Sequence, residues 1–230
     1  SDSSNIINIP IEHRHDFESD ILNALRDIAG VSTVAVQPYL TNRAAVARCF
    51  GKHDSILTRD TVTWPDQEID IHRDRLHRPE LIRFTHLDLS KTGDATGIVV
   101  GCVSGFDKID RGDALETLPH IRIDFALQVV PPKGGEILYE TIRNFLYWLC
   151  KQGLNLRFVT ADSYQSTDTI QILRRKGFFT GIVSIDKTPL PYEVLKSALY
   201  DGRVDLPQQD QLAGELLSLE WDERRVSVVR

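Results

Sequence analysis

LNLRFVTADSYQSTDTIQIL, residues 154–173, is the stretch whose reading decides the fold. Its first half is an apolar strand, Leu154 to Ala161, that runs out at Asp162. Its second half carries apolar residues at helical spacing and predicts a helix from Ser166 to Lys176. A strand that ends at a carboxylate and passes into a helix is the unit with which open α/β sheets present ligand sites at the carboxyl ends of their strands. A second aspartate, Asp88, stands inside the short apolar strand FTHLDLS (residues 84–90), which turns through Lys91 to Asp94 into Ile98 to Gly101. If the two strands are sheet neighbours, both carboxylates arrive at one place. Two such charges about 4 Å apart repel by roughly 4 kcal/mol at an effective dielectric near 20, so the pair needs a proton or a cation between them. A hard divalent metal fits best and points to phosphate chemistry.

Working outward, Ile82 to Leu89 and Gly97 to Ser104 read as a hairpin, and Ile121 to Val130 reads as a third strand stopped by Pro131-Pro132, which cannot supply ladder donors. Gly134-Gly135 opens a helix with Ile137, Leu138, Ile142, Phe145, Leu146 and Leu149 on one face, closing near Gly153. After residues 154–176 come a strand from Ile182 to Ile185, a helix from Pro191 to Tyr200 and a last helix from Gln208 to Glu220. Three antiparallel strands followed by crossover units predict an α/β fold, a mixed five-stranded sheet with helices on both faces, the layout of ribonuclease H-like proteins. Residues 1–80 differ in texture. An amphipathic stretch from Asp16 to Leu25 stops at Gly30, and Lys52 to Pro79 is rich in Asp, Arg and His, so this part reads as a partly helical, linker-like segment with little core of its own, ahead of a domain over 81–230.

Composition narrows the classes. The 230 residues are 41% hydrophobic and 26% charged, as in globular proteins, and no apolar run is long enough for a membrane span. Cys49, Cys102 and Cys150 have no metal-ligand spacing and read as reduced thiols, Cys150 as core. A net charge of −6 argues against a generally basic nucleic-acid coat but not against a local groove around acidic metal ligands. No phosphate-cradling G-x-x-x-x-G-K-[ST] motif is present, so nucleotide hydrolysis is not expected. With no methionine even at position 1, the chain reads as a piece of a longer protein.

Each candidate has an ordinary alternative. Asp162 could be the N-cap of the following helix; Asp88, flanked by Leu87 and Leu89, is harder to explain structurally, because a mid-strand aspartate is disfavoured. A two-metal site wants a third carboxylate. Asp186 ends the last strand but also suits a turn, and Asp124 on the third strand could instead pair with Arg122. His86 faces the side of Asp88 and reads as a supporting group, and His13, His15, His53, His72 and His77 read as surface residues.

Four blocks carry a resemblance: HLDLSKTGDATGI (86–98), RIDFALQVVPPKGGEI (122–137), VTADSYQSTDTIQILRRKGF (159–178) and VSIDKTPLPYEVLKSALYDGR (183–203). Over residues 81 to about 222 the chain resembles the nuclease part of the large terminase subunit of tailed bacteriophages, and FESDILNALRDIAG (17–30) resembles the segment linking the terminase ATPase to that nuclease. The resemblance implies a metal-dependent endonuclease that cuts concatemeric double-stranded DNA during packaging, with Asp88 and Asp162 holding two Mg²⁺ or Mn²⁺ ions. It implies an ATPase domain in the same polypeptide, a portal protein and a small terminase subunit as partners, and action in the host cytoplasm at the procapsid portal. Lys91, Lys133, Arg174, Arg175 and Lys187 are the expected contacts to the DNA backbone. The family's third acidic ligand, on a C-terminal Lys-Asp-x-x-Asp-type helix, has no counterpart after LEWDERR (219–225), so a truncated end, Asp186 or Asp124 has to account for it. The alternatives are a catalytically silent DNA-binding or docking module of the packaging motor and, more remotely, a resolvase- or integrase-like nuclease.

Overall fold

The computed structural model describes residue 13 and residues 37–91, 94–162, 166–184, 188–222 and 227–229. His15, the amphipathic stretch 16–25, Asp186 and Lys187 lie outside the described residues. In chain order the elements are β1 (Gln37–Pro38), α1 (Arg43–Cys49), β2 (Thr61–Val62), β3 (Arg83–Asp88), β4 (Thr96–Asp110), β5 (Leu115–Val129), α2 (Tyr139–Lys151), β6 (Leu156–Ala161), α3 (Thr167–Arg175), β7 (Phe179–Ile182), α4 (Leu190–Tyr200), β8 (Val204–Asp205), α5 (Asp210–Leu217), β9 (Glu220–Asp222) and β10 (Ser227–Val229). No helix among the described residues is long and apolar enough to cross a membrane.

The main sheet runs β2-β5-β4-β3-β6-β7, with β8 pairing β5. The β3/β4 and β4/β5 pairs are antiparallel, whereas β6 lies parallel to β3 and β7 parallel to β6. The five expected strands are therefore present as the centre of a mixed sheet, and β2 and β8 add two short parallel strands to β5. The register of β3 against β6 shifts by one residue between Arg83↔Leu156 and Phe84↔Phe158. A small antiparallel sheet, β1-β9-β10, stands apart.

Side-chain period explains the layering. Thr85 and Leu87 point into the core while Phe84 and Asp88 on the same strand are exposed, the two-residue alternation of a sheet with unlike faces. Against the buried face pack Ile142, Phe145, Leu146 and Leu149 of α2 and Ile170 and Leu173 of α3, spaced as one helical stripe each. Gly153, with φ of +106°, ends the turn after α2 in the left-handed conformation that glycine supplies without strain. A second core on the other face joins Val46 of α1, Ala198 and Leu199 of α4, and Leu212 and Leu216 of α5. Helices thus cover both faces.

Three expectations change. The segment 52–79 is not merely a surface connector, since Ile56, Leu57, Val62 and Ile71 are buried in the main core and β2 pairs with β5. β4 and β5 run far past the expected strands to form a long ribbon. Along the ribbon's outer part the apolar residues Phe106 and Ile109, and Leu115 and Leu118, fall three apart rather than two, so no strand alternation announces it; Arg111 grips Asp201 at the end of α4 with two 2.8 Å hydrogen bonds, and His120 bridges Asp107 and Asp205. β7 begins at Phe179 rather than Ile182, because its pairing with β6 starts at Phe158↔Phe179.

Candidate active site

Asp88 is the last residue of β3 and Asp162 follows the last residue of β6. Leu87 pairs with Ala161 across these parallel strands, and the Asp162 amide donates to the Leu87 carbonyl at 3.2 Å. The next step of the register sets Asp88 beside Asp162 on strands about 4.8 Å apart. α3 begins at Thr167 with Ser166 in the cap position.

The two aspartates border a cleft of about 1020 Å³ whose floor is the sheet face of β3, β4 and β5 and whose opposite wall is α5. Gln209 Nε2 donates to the Ala126 carbonyl at 3.1 Å, and Gln211 Nε2 donates to Gln128 Oε1 at 3.2 Å and to Glu215 Oε1 at 3.1 Å. These amides fix α5 over β5 and bring Glu215 to the cleft wall. Asp94, in the loop after β3, borders it too. Among the described lining residues there are four carboxylates, from Asp88, Asp94, Asp162 and Glu215, and no lysine or arginine.

His86 lies on the same strand face, two residues before Asp88. Its Nδ1 is 2.9 Å from Thr160 Oγ1, whose hydroxyl donates onward to the Thr85 carbonyl at 3.3 Å. The hydroxyl proton being committed, Oγ1 accepts from Nδ1–H, and Nε2 is left as the acceptor of the neutral ring. Burial holds the imidazole below its ordinary value despite the opposing pull of Asp88 and Asp162. His86 therefore adds no positive charge at neutral pH.

The donor set fits a hard divalent cation. Magnesium is commonly held by one or two carboxylates, keeping waters and taking substrate phosphate oxygens for the rest, and Asp88 and Asp162 provide two such oxygen donors side by side. Among the described residues no three His, Cys, Asp or Glu side chains converge into a ready-made metal cage. Glu215 was missed by sequence reading, although Gln211 and Glu215 form an i, i+4 polar pair on a helix otherwise marked by Leu212 and Leu216.

The other candidates divide. Asp124 is not with the pair. It occupies the irregularity where the β4/β5 register passes from Val100↔Phe125 to Gly101↔Ile123, and its Oδ2 accepts from Arg83 Nε at 3.1 Å. Arg83 starts the strand that Asp88 ends, so Asp124 lies roughly 16 Å along β3 from the cleft. The alternative reading of Asp124, a pairing with Arg122, is the one the structure shows, with Arg122 Nε 3.7 Å from Asp124 Oδ1. Lys91 and Lys133 are exposed in the loops after β3 and β5, which meet at the cleft end through the Ile137 amide and Lys91 carbonyl at 2.9 Å; Lys91 is 3.9 Å from Glu136. Arg174 and Arg175 are not there: α3 carries them back toward the start of β7, where Arg174 Nε donates to Thr180 Oγ1 at 3.1 Å.

No protein-family model matches the chain, and no curated protein sequence does. Solved structures match. The large terminase nuclease from the thermophilic phage G20c aligns with a TM-score of 0.53 at 12% identity, over 84% of this chain and 87% of that one. The same phage's large terminase nuclease with bound magnesium aligns with a TM-score of 0.51 at 12% identity, over 84% and 86%. At such identity the likeness is one of fold, and the chain has the ribonuclease H-like fold of phage large terminase nucleases.

Proposed function

We propose that the chain is the DNA-cleaving domain of a phage large terminase, an endonuclease that hydrolyses phosphodiester bonds of concatemeric double-stranded DNA with divalent metal. The observation that carries this is the juxtaposition of Asp88 and Asp162 at adjacent strand ends, in a cleft whose charged lining is otherwise Asp94 and Glu215. A cleft lined by carboxylates repels a phosphate backbone unless cations sit between them. Two Mg²⁺ or Mn²⁺ ions, when bound, supply an activated water and stabilise the leaving oxygen. Asp88 and Asp162 would hold them with Glu215 on the opposite wall from α5, neutral His86 stands two residues before Asp88 on β3, and Lys91 and Lys133 would receive the backbone at the rim. Residues 1–80 are proposed as the segment nearer an ATPase domain of the same polypeptide, with the portal and small terminase subunit as partners in the host cytoplasm.

Cleavage of plasmid DNA in Mn²⁺ tests this. Asp88→Ala and Asp162→Ala are each expected to slow cleavage by at least about a hundredfold, about 2.7 kcal/mol of transition-state stabilisation. Metal-dependent cleavage unchanged in Asp88→Ala removes the assignment. A silent DNA-docking module is favoured by the lack of a third adjacent ligand among the described residues; a saturable Mn²⁺ site that requires both aspartates rules it out.

A further inference from the structure

The sheet face that ends in Asp88 and Asp162 begins in a row of three phenylalanines. Across the parallel strands Phe84 pairs with Phe158 and Phe158 with Phe179, so β3, β6 and β7 each place one ring in line. The rings stack, with centroids 4.8 and 5.1 Å apart and planes tilted by 15° and 23°. That spacing is close to the distance between strands, so the rings stand as a ladder, each face turned to the neighbouring strand. The helices of the second core stand over Ile123 of β5 and leave this row open. β7 is the last strand of the sheet, so Phe179 ends the ladder with a ring face that no described strand covers, and it is 64% exposed.

The next row along this face is His86, Thr160 and Gly181, and the one after it holds the carboxylates, roughly 13 Å from the phenylalanines. Gly181 brings no side chain and Thr160 a small one, so the face stays low between the ladder's end and the aspartates. The charge beside that end is of one sign. Arg174, Arg175 and Lys176 close α3 just ahead of β7, all three exposed and none paired with a described carboxylate. Arg174 is laid on β7 itself: Nε donates to Thr180 Oγ1 at 3.1 Å and Nη2 to the Thr180 carbonyl at 3.5 Å, which fixes the guanidinium without neutralising it. The Val183 amide donates to Ala161 of β6, so by alternation the Thr180 carbonyl lies on the open edge, and Arg174 there obstructs an added strand.

We propose that this row is a platform for single-stranded DNA, in which an unpaired base continues the stack on the outer face of Phe179 while Arg174, Arg175 and Lys176 meet the phosphates. Every base has a flat face that stacks on an aromatic ring whatever the sequence, and cations beside such rings hold the backbone of a single strand. A duplex keeps its bases stacked on one another and offers the ring only a terminal pair. An apolar protein surface would match the phenylalanines but leave three cations without partners. The platform stands whether or not the carboxylate cleft cleaves; that its strand is DNA rather than RNA rests on the nuclease reading.

The test is fluorescence titration of a short thymidine oligomer carrying a single 2-aminopurine with the 230-residue chain, in buffer free of divalent cations. Saturable binding that quenches the 2-aminopurine is expected. Phe179→Leu keeps the apolar bulk and loses the ring; it should weaken binding about tenfold and abolish the quenching, and Phe179→Trp should restore both. Arg174→Gln should lower the slope of log affinity against log salt by about 0.7. Both side chains are exposed, so the variants report binding without endangering the fold. No saturable binding by the native chain, binding and quenching unchanged in Phe179→Leu, or tighter binding of the matching duplex or RNA overturns the assignment. So does a dimer in sedimentation that Phe179→Leu disperses while no strand binds, which gives the face to a second copy. With divalent cations absent the cleft takes no part, so failure here leaves the nuclease reading intact, and a chain that binds the strand but cuts nothing in Mn²⁺ sinks that reading alone.

Discussion

Arg83 and Asp124 share the sheet interior with no exposed side-chain surface, and a buried ion pair of this kind returns little more than its desolvation costs. Its value lies in what it holds: Arg83 spends its remaining donors on the 77–81 loop. Burial pushes the Asp124 carboxyl above its ordinary value, while Arg83 and Arg122 pull it back only in part. Removing the guanidinium in Arg83→Met is expected to cost about 3–5 kcal/mol in urea unfolding at neutral pH, because the buried carboxylate loses its hydrogen-bonded partner and keeps only Arg122 Nε at 3.7 Å. The loss should shrink as the pH falls and Asp124 takes up a proton, and the double variant Arg83→Met/Asp124→Leu should recover most of it. A loss that does not vary with pH would mean that the loop, not the charge, dominates.

The β4–β5 ribbon depends on contacts rather than on a core. At its root Gly101 is required: a Cβ there would lie 2.6 Å from the Arg122 carbonyl oxygen. Further out, His120 sits 2.6 Å from Asp107 on β4 and 3.3 Å from Asp205 on β8. Burial pulls this imidazole down, and the two carboxylates outweigh burial, so it titrates above its ordinary value near 6.5. A raised value in the folded chain means that the bridge contributes fully below pH 6.5 and is lost as the pH rises through the folded titration. Amide exchange in the ribbon, corrected for its intrinsic pH dependence, should therefore quicken across that window, and His120→Gln should abolish the dependence. Elements of this kind are hard to read in a sequence. The outer ribbon's apolar residues, Phe106, Ile109, Leu115 and Leu118, keep no two-residue alternation, and β2 and β8, two residues each, are too short to show any period. The central strands and α2 and α3 were legible because each buries one regular stripe.

Across the whole molecule the legible part of the site is the part written in single strands. Asp88 conflicts with its apolar neighbours and Asp162 ends an apolar run, so both could be found from local sequence alone. Glu215 owes its place at the cleft wall to the packing of α5 over β5, and nothing local distinguishes it from a solvated charge. Metal binding should register globally: a cation that binds only the folded chain stabilises it by about 2.7 kcal/mol at one hundred times its dissociation constant. Mn²⁺ is therefore expected to raise the melting temperature of the native chain and to leave that of Asp88→Asn unmoved.

The one-residue shift beside Arg83 acts as a vernier for the carboxylates. Continued without it, the Arg83↔Leu156 register would bring Asp88 opposite Ala161, leaving Asp162 a step further on and pointing to the other side of the sheet. The extra residue, Arg157, therefore contributes by its presence in the count rather than by its chemistry. Exchanging it for another side chain leaves the spacing intact, whereas deleting it would part the two aspartates while every residue of the cleft stayed in the chain.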